Sequence, residues 1–350
     1  MGNGMKLSDR VIGGDVPFVI AEAGVNHDGS VDTAHRLIGI AAESGADAVK
    51  FQTFAPSALV AADAGTTPYQ QRAGGVLTQA EMLASLTLPQ DAWVDLASDA
   101  RERGLVFLSS PFDLQSAELL AELGVPALKT GSGELTNLAF LRALAGFGLP
   151  LLISTGMADW QEVDSAVAAT SATEIALFHC VSAYPAPLEE CNLRVVPAMK
   201  ERYDVPVGWS DHTLGLTAAV SAAALGARLF EKHFTIDATA PGPDHAASLE
   251  PEQLRTYVAT IAETVTALGD GIKRRVPSEE ENAPLVRRSW HAGRDLSAGD
   301  VLAATDLVAL RPESGISVAT EIAGSRLTRS VREGQAISPE DLDAPPGTAG

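Results

Sequence analysis

Two lysines, two histidines and two glutamates stand in this chain where a fold would not put them without a use. Lys50 in DAVKFQTF and Lys129 in PALKTGS lie inside apolar runs of the kind that become buried strands. A buried ammonium is costly unless it is paired. One account is an internal ion pair with Glu22 or Glu134. The other is an anion site, because hydroxyl and amide side chains (Gln52, Ser110, Ser132, Ser154) accompany these lysines at the ends of the apolar runs. His212 follows an apolar run in WSDHT and His233 ends the next in FEKHF. Adjacent strands ending this way could present two imidazoles to one divalent ion. Two histidines fall short of the three protein ligands usual for catalytic zinc, and suit manganese or a similar ion with positions open to water and substrate. Asp211 would serve beside the metal or cap its own loop. Glu22 and Glu134 are candidates for proton transfer, since confinement raises a carboxyl pKa toward neutrality; the alternative is that each only orients a lysine.

These groups need elements that bring them together. From Pro17 to about Ile236 eight short apolar runs recur, each followed by an amphipathic stretch: PFVIAEAGV, DAVKFQTF, LVFLSS, PALKTGS, PLLIST, EIALFHCVS, VPVGWSD and ARLFEKHFTI. Continuous apolar runs are the mark of buried parallel strands. Between the first two, Ala34, Leu37, Ile38, Ala41 and Ala42 share one helical face over Val31 to Ser44, and Gly45 closes that helix. Eight strand–helix units without a GxGxxG turn predict a closed (β/α)8 TIM barrel rather than an open doubly wound sheet. The polar residues gather at the C-terminal ends of the runs: Glu22, Lys50 with Gln52, Ser110, Lys129 with Ser132 and Glu134, Ser154, Ser182 with Tyr184, His212 and His233. In a barrel those ends share one face, where barrel enzymes keep their active sites. The stretch from Phe54 to Leu105 is too long for an ordinary connection and is expected to lie over the barrel mouth. His27, His35, His179 and His291 are read as structural, with His35 facing solvent, and Cys180 as core.

The remaining organisation is simpler. Residues 1–16 are expected to cap the barrel, 17–272 to form it, 273–285 (charged and proline-containing) to link, 286–343 to make a compact turn-rich domain, and 344–350 to be disordered. A formal charge of -20, with no Lys/Arg cluster that stands out, argues against a nucleic-acid partner. A unit charge pair at 4 Å is worth about 4 kcal/mol at an effective dielectric of 20, while diffuse surface charge is screened beyond about 8 Å, so two local lysines can still hold an anion. Two cysteines without CxxC spacing, no signal-like N-terminus and no long apolar window suggest a cytoplasmic protein without membrane contact.

Taken in order, IAEAGVNHDG, DAVKFQTF, FLSSPFD, LKTGSGE, ISTGM, HCVSAYP, VGWSDHTLG, EKHFT and GPDHAASLEP resemble the sialic acid synthase family. RDLSAGDVLAATDL, RPESGIS and REGQAI resemble its C-terminal antifreeze-like (SAF, β-clip-type) domain. The likeness runs over nearly the whole chain. It implies a transferase that condenses phosphoenolpyruvate with the open-chain aldehyde of N-acetylmannosamine or a relative, giving a nonulosonic acid and phosphate. It implies that His212 and His233 hold a divalent metal, Mn2+ first, with Mg2+ or Co2+ as alternatives. Phosphoenolpyruvate would then rest on Lys50, Ser110, Lys129, Ser132 and Ser154, and the sugar on Gln52, Ser182, Tyr184 and Asp244. Glu22 would manage protons with Glu134 as a second participant. Arg311 matches the arginine that reaches the partner subunit's site, implying a domain-swapped homodimer.

Ala238, Thr239 and Ala240 stand where the family often has a basic and amide pair before GPD, and Ala246 where a lysine commonly follows GPDH. These changes leave the acceptor open among N-acetylmannosamine and legionaminic, pseudaminic or spore-coat types. Two other classes remain for comparison: a carbohydrate- or ice-binding protein without catalysis, and a barrel aldolase with Lys129 or Lys232 as Schiff-base nucleophile.

Overall fold

The structure, a computed structural model, describes residues 4–61 and 78–343. The tail 344–350, expected to be disordered, lies outside the described residues, as does 62–77 in the middle of the long connection. The chain divides into two compact units, Met1–Gly269 and Asp270–Gly350.

The first unit opens with a small hairpin, β1 (Met5–Leu7) against β2 (Arg10–Ile12). Eight parallel strands follow: β3 (Phe18–Gly24), β4 (Ala48–Thr53), β5 (Val106–Pro111), β6 (Leu128–Thr130), β7 (Leu151–Ser154), β8 (Ile175–Cys180), β9 (Val207–Asp211) and β10 (Leu229–His233). Their order is β5-β4-β3-β10-β9-β8-β7-β6, and β5 lies against β6, so the sheet closes as a TIM-type barrel. All eight sequence runs form these strands.

Strand alternation sorts the side chains into two cores. Phe18, Ile20, Ala48, Leu108, Leu152, Phe178 and Leu229 fill the barrel interior, joined by Met5, Leu7 and Ile12 of the hairpin. The alternate residues, among them Val19, Val49, Phe51, Trp209 and Phe230, pack outward against the helices. The first helix spans Val31–Glu43 and buries Ala34, Leu37, Ile38 and Ala41 as expected, while Ala42 is half-buried. Ser30 caps it by accepting a hydrogen bond from the Thr33 N–H. Asp113, Asn137 and Asp159 cap later helices in the same way.

The connection after β4 is partly regular. Its last part, Ala92–Glu102, is an amphipathic barrel helix packed on the first helix and on β5, so the extra material ends before residue 92. Among its described residues that earlier part carries the short helices Pro56–Leu59 and Gln79–Ser85.

The second unit contains two antiparallel strands, β11 (Ser289–Ala292) and β12 (Leu307–Leu310), with isolated bridges such as His291–Ala336 and Leu296–Val331. It buries its own core around Leu296, Leu302, Leu327, Val331 and Ile337. Among the described residues no helix is long and apolar enough to cross a membrane.

Candidate active site

At the C-terminal end of the barrel a cavity of about 580 Å³ is lined by Glu22, Lys50, Gln52, Ser110, Lys129, Ser132, Glu134, Ser154, Ser182, Tyr184, His212, His233 and Asp244. Strand register explains the meeting: Glu22 pairs with Lys50 on one side and with His233 on the other, and Gln52 pairs with Ser110. Arg311 is not among these residues. It stands exposed in the second unit, just past β12.

Both lysines are fully enclosed. Lys50 Nζ lies 2.8 Å from Glu22 Oε2, off the line a hydrogen bond needs, and donates to Ser110 Oγ at 3.0 Å. Lys129 Nζ donates to Ser154 Oγ at 2.5 Å and to the Thr130 carbonyl at 3.0 Å. The ion-pair expectation is therefore right for Lys50 and Glu22. Glu134 pairs with neither lysine: it is half-buried, with Asn137 Nδ2 donating to its Oε2 at 3.0 Å.

The carboxylate shared by both lysines is Glu231, 3.8 Å from each ammonium, with Ser210 Oγ donating to its Oε1 at 3.2 Å. Sequence reasoning missed it. The signal was present, because Glu231 is two residues before His233 on one strand and so shares its inward face. Burial works against the Lys50 charge, but Glu22 and Glu231 outweigh it and hold its pKa above the ordinary value. For Lys129 burial prevails and the pKa falls. Glu231 is opposed by burial, yet the two lysines and the Ser210 hydroxyl keep it below the carboxylate range. Glu22 is pushed up to about 7, chiefly by burial and then by Glu231, against the pull of Lys50. A carboxyl poised there can give or take a proton near neutral pH.

The histidines face each other with ring centroids 5.7 Å apart. His212 Nδ1 donates to the Val181 carbonyl at 2.7 Å, which leaves its Nε2 as the lone-pair nitrogen. Burial lowers the His212 pKa to about 4, and burial together with His212 and the nearby lysines takes His233 well below its ordinary value, so both rings are neutral. His233 Nδ1 is buried with no hydrogen-bond partner and lies 3.8 Å from Asp244 Oδ2. Two neutral imidazoles, one with an orphaned buried nitrogen, fit a divalent ion. Among the described residues no group of three or more His, Cys, Asp or Glu is arranged as a ligand set. The donor set thus suits an ion that takes its other ligands from water and substrate, not a closed structural zinc. Tyr184 lays its ring over His212 at 4.2 Å and edge-on to His233 at 5.8 Å. Asp244 is raised to about 6 by burial, with His245 and Lys50 pulling it down.

Several structural expectations change. Asp211 caps its own loop, its Oδ1 accepting from the Thr213 N–H at 2.8 Å, and turns away from the cavity with Lys232. Cys180 is core, yet its thiol touches Ser132 Oγ at 3.2 Å, and Ser132 lines the cavity. His35 does not simply face solvent, because its Nδ1 meets Asp99 Oδ2 at 2.7 Å between two helices. The outer wall was not foreseen: Val25, Phe54, Leu59, Met82, Leu83, Leu86 and Phe112 cluster along one side of the cavity. Five of these (Phe54, Leu59, Met82, Leu83 and Leu86) lie on the long connection, which therefore does border the mouth.

The NeuB family model matches residues 37–273, and the SAF domain model matches 287–343. An N,N'-diacetyllegionaminic acid synthase of Campylobacter jejuni is 40% identical over 328 residues, covering 91% of this chain and 98% of that protein. The N-acetylneuraminate-9-phosphate synthase of Mus musculus is 33% identical, covering 96% of this chain and 95% of its own. The crystal structure of an N-acetylneuraminic acid (sialic acid) synthetase from Leptospira borgpetersenii, in complex with citrate, superposes with a TM-score of 0.71 at 32% identity over 81% of this chain and 95% of that one. With one family model over most of the barrel unit, a second over the small C-terminal unit, and relatives matched along nearly the full length, this chain belongs to the NeuB (sialic acid synthase) family and carries an SAF domain.

Proposed function

We propose that the enzyme condenses phosphoenolpyruvate with the open-chain aldehyde of an N-acetylated amino sugar and water, releasing a nonulosonic acid and phosphate. The observation that carries this reading is one cavity holding two enclosed lysines with serine hydroxyls beside two neutral, facing histidines. Lys129, Ser132 and Ser154 hold the phosphate, and Lys50 and Ser110 the carboxylate, so that carbon 3 is aimed at the aldehyde. A divalent metal held by His212 and His233, manganese first, supplies Lewis-acid polarisation of the aldehyde oxygen when bound. Carbon 3 forms the new C–C bond, water adds at carbon 2, and phosphate leaves by C–O cleavage. Glu22 lies beside both centres and carries the proton between the water and the new hydroxyl. Gln52, Ser182, Tyr184 and Asp244 orient the sugar chain, and most of the rate comes from alignment and from charges already in place. The reading extends to a cytoplasmic homodimer in which Arg311 serves the pocket of the second copy.

The apolar wall favours one acceptor class. A hydroxyl or phosphate pressed on Met82 and Leu83 would lose its water without gaining a partner, whereas the methyl of an acyl group gains contact. Together with the 40% identical diacetyllegionaminic acid synthase, this favours a sugar with two acetamido groups over a 6-phosphate. The test is a panel of both kinds with phosphoenolpyruvate and Mn2+, reading phosphate and product mass. Chelation should abolish phosphate release and added Mn2+ should restore it; turnover untouched by chelation would sink the metal's role. Borohydride with pyruvate should trap no adduct: Lys232 faces away from the cavity, and Lys129, which faces it, is held by Ser154 Oγ and the Thr130 carbonyl.

A further inference from the structure

The layer between barrel and helices is mostly apolar, and three of its buried polar residues form one bonded group. Asp211 on β9, Lys232 on β10 and Tyr257 on the helix Pro251–Leu268 are each fully buried there, on the strand face opposite the cavity. Lys232 Nζ donates to the Thr213 carbonyl and lies 3.9 Å from Asp211 Oδ1. Asp211 Oδ1 accepts from the Thr213 N–H at 2.8 Å and from its hydroxyl at 2.7 Å, while Tyr257 donates to Asp211 Oδ2 at 3.3 Å. Every one of these bonds ends on Thr213 or on the carboxylate that holds it. Thr213 immediately follows His212, and Lys232 immediately precedes His233.

Packing alone does not call for this arrangement. A buried ion pair is expensive to desolvate, and apolar side chains of similar volume commonly do as well or better for stability. What the trio does that apolar residues could not is tie the turn after β9 to β10 by directional bonds. We infer that Asp211, Lys232 and Tyr257 are positioning residues that fix the spacing of the His212 and His233 imidazoles for the divalent ion. The inference rests on the metal reading above. Groups that orient metal ligands from behind typically change affinity by 10- to 100-fold when removed.

The test is Mn2+ titration of the full-length, metal-stripped protein by calorimetry and electron paramagnetic resonance, alongside thermal melting. Wild type, Lys232→Met, Tyr257→Phe and His233→Ala are compared. Lys232→Met should raise the Mn2+ Kd by about 10- to 100-fold, with kcat recovering at saturating Mn2+. Tyr257→Phe, which loses one hydroxyl, should shift Kd in the same direction by less. If Kd is unchanged in both while the melting temperature falls, the trio merely supports the fold and the inference is wrong. Should Lys232→Met fail to fold, Tyr257→Phe decides alone by the same criterion. Equal Mn2+ binding by wild type and His233→Ala would instead overturn the metal reading, a different failure.

Discussion

Four charged side chains set the character of the cavity: Lys50 and Lys129 against Glu22 and Glu231. Three were legible in the sequence as misplaced charges in apolar runs. Glu231 was not, because attention to the ends of the runs favours His233 and passes over the residue one step deeper on the same face. Replacing His233 by alanine should leave the melting profile close to wild type but remove metal-dependent turnover, read as Mn2+-stimulated phosphate release. Gly156 makes a second prediction at this scale. A Cβ there would come within 2.4 Å of Ser182 Oγ, 2.8 Å of Ser132 Oγ and 3.0 Å of Cys180 Sγ, and its N–H donates to Ser132 Oγ at 3.0 Å. Gly156→Ala should therefore push Ser132 off the anion site and lower kcat/KM for phosphoenolpyruvate by about 10- to 100-fold, on the scale of a misplaced binding group. An unchanged kcat/KM would show that Ser132 does not hold the substrate.

At the scale of elements, period-2 alternation carried most of the information. It marks each strand and also decides which of two neighbouring polar residues reaches the cavity: His233 does and Lys232 does not. Adjacent polar residues in the sequence therefore serve opposite sides of the sheet. The long connection was legible only as an excess of length. Propensity could not show that Ala92–Glu102 is an ordinary barrel helix, since its face is defined by what it packs against, nor that Met82 and Leu83 would border the cavity. The β1–β2 hairpin shows its value by burial, with Leu7 at 0% exposure inside the barrel core. Leu7→Ala should cost about 2–5 kcal/mol of stability in chemical denaturation while leaving KM for phosphoenolpyruvate within about twofold.

At the scale of the whole molecule the two units hold together by different means. The first has extensive apolar cores. The second is small, and polar ties such as Arg329 and Ser338 to the enclosed Asp341 matter more to it. Burial opposes the Asp341 charge, but hydrogen bonds from Arg329 and from the Ser338 N–H and hydroxyl outweigh it and hold its pKa below the ordinary 3.8. A carboxyl depressed in the folded state adds stability above its unfolded pKa, and that stability is lost as pH falls through the folded value. Calorimetry on the full chain should show the transition of the second unit dropping below about pH 4, and Asp341→Asn should flatten that dependence. A transition insensitive to acid would refute it. The boundary between the units was visible in the sequence as a loss of apolar periodicity; the role proposed for Arg311 was not, since no pattern within one chain reports a second copy.

The closed end of the barrel has a kinetic consequence. Met5, Leu7 and Ile12 stop the interior at the bottom, so reactants and products share one doorway. The lysines lie deeper than the apolar wall, and traffic must therefore be last in, first out. In the proposed reaction phosphoenolpyruvate should load before the sugar, the new acid should depart ahead of phosphate, and phosphate should inhibit competitively against phosphoenolpyruvate but not against the sugar.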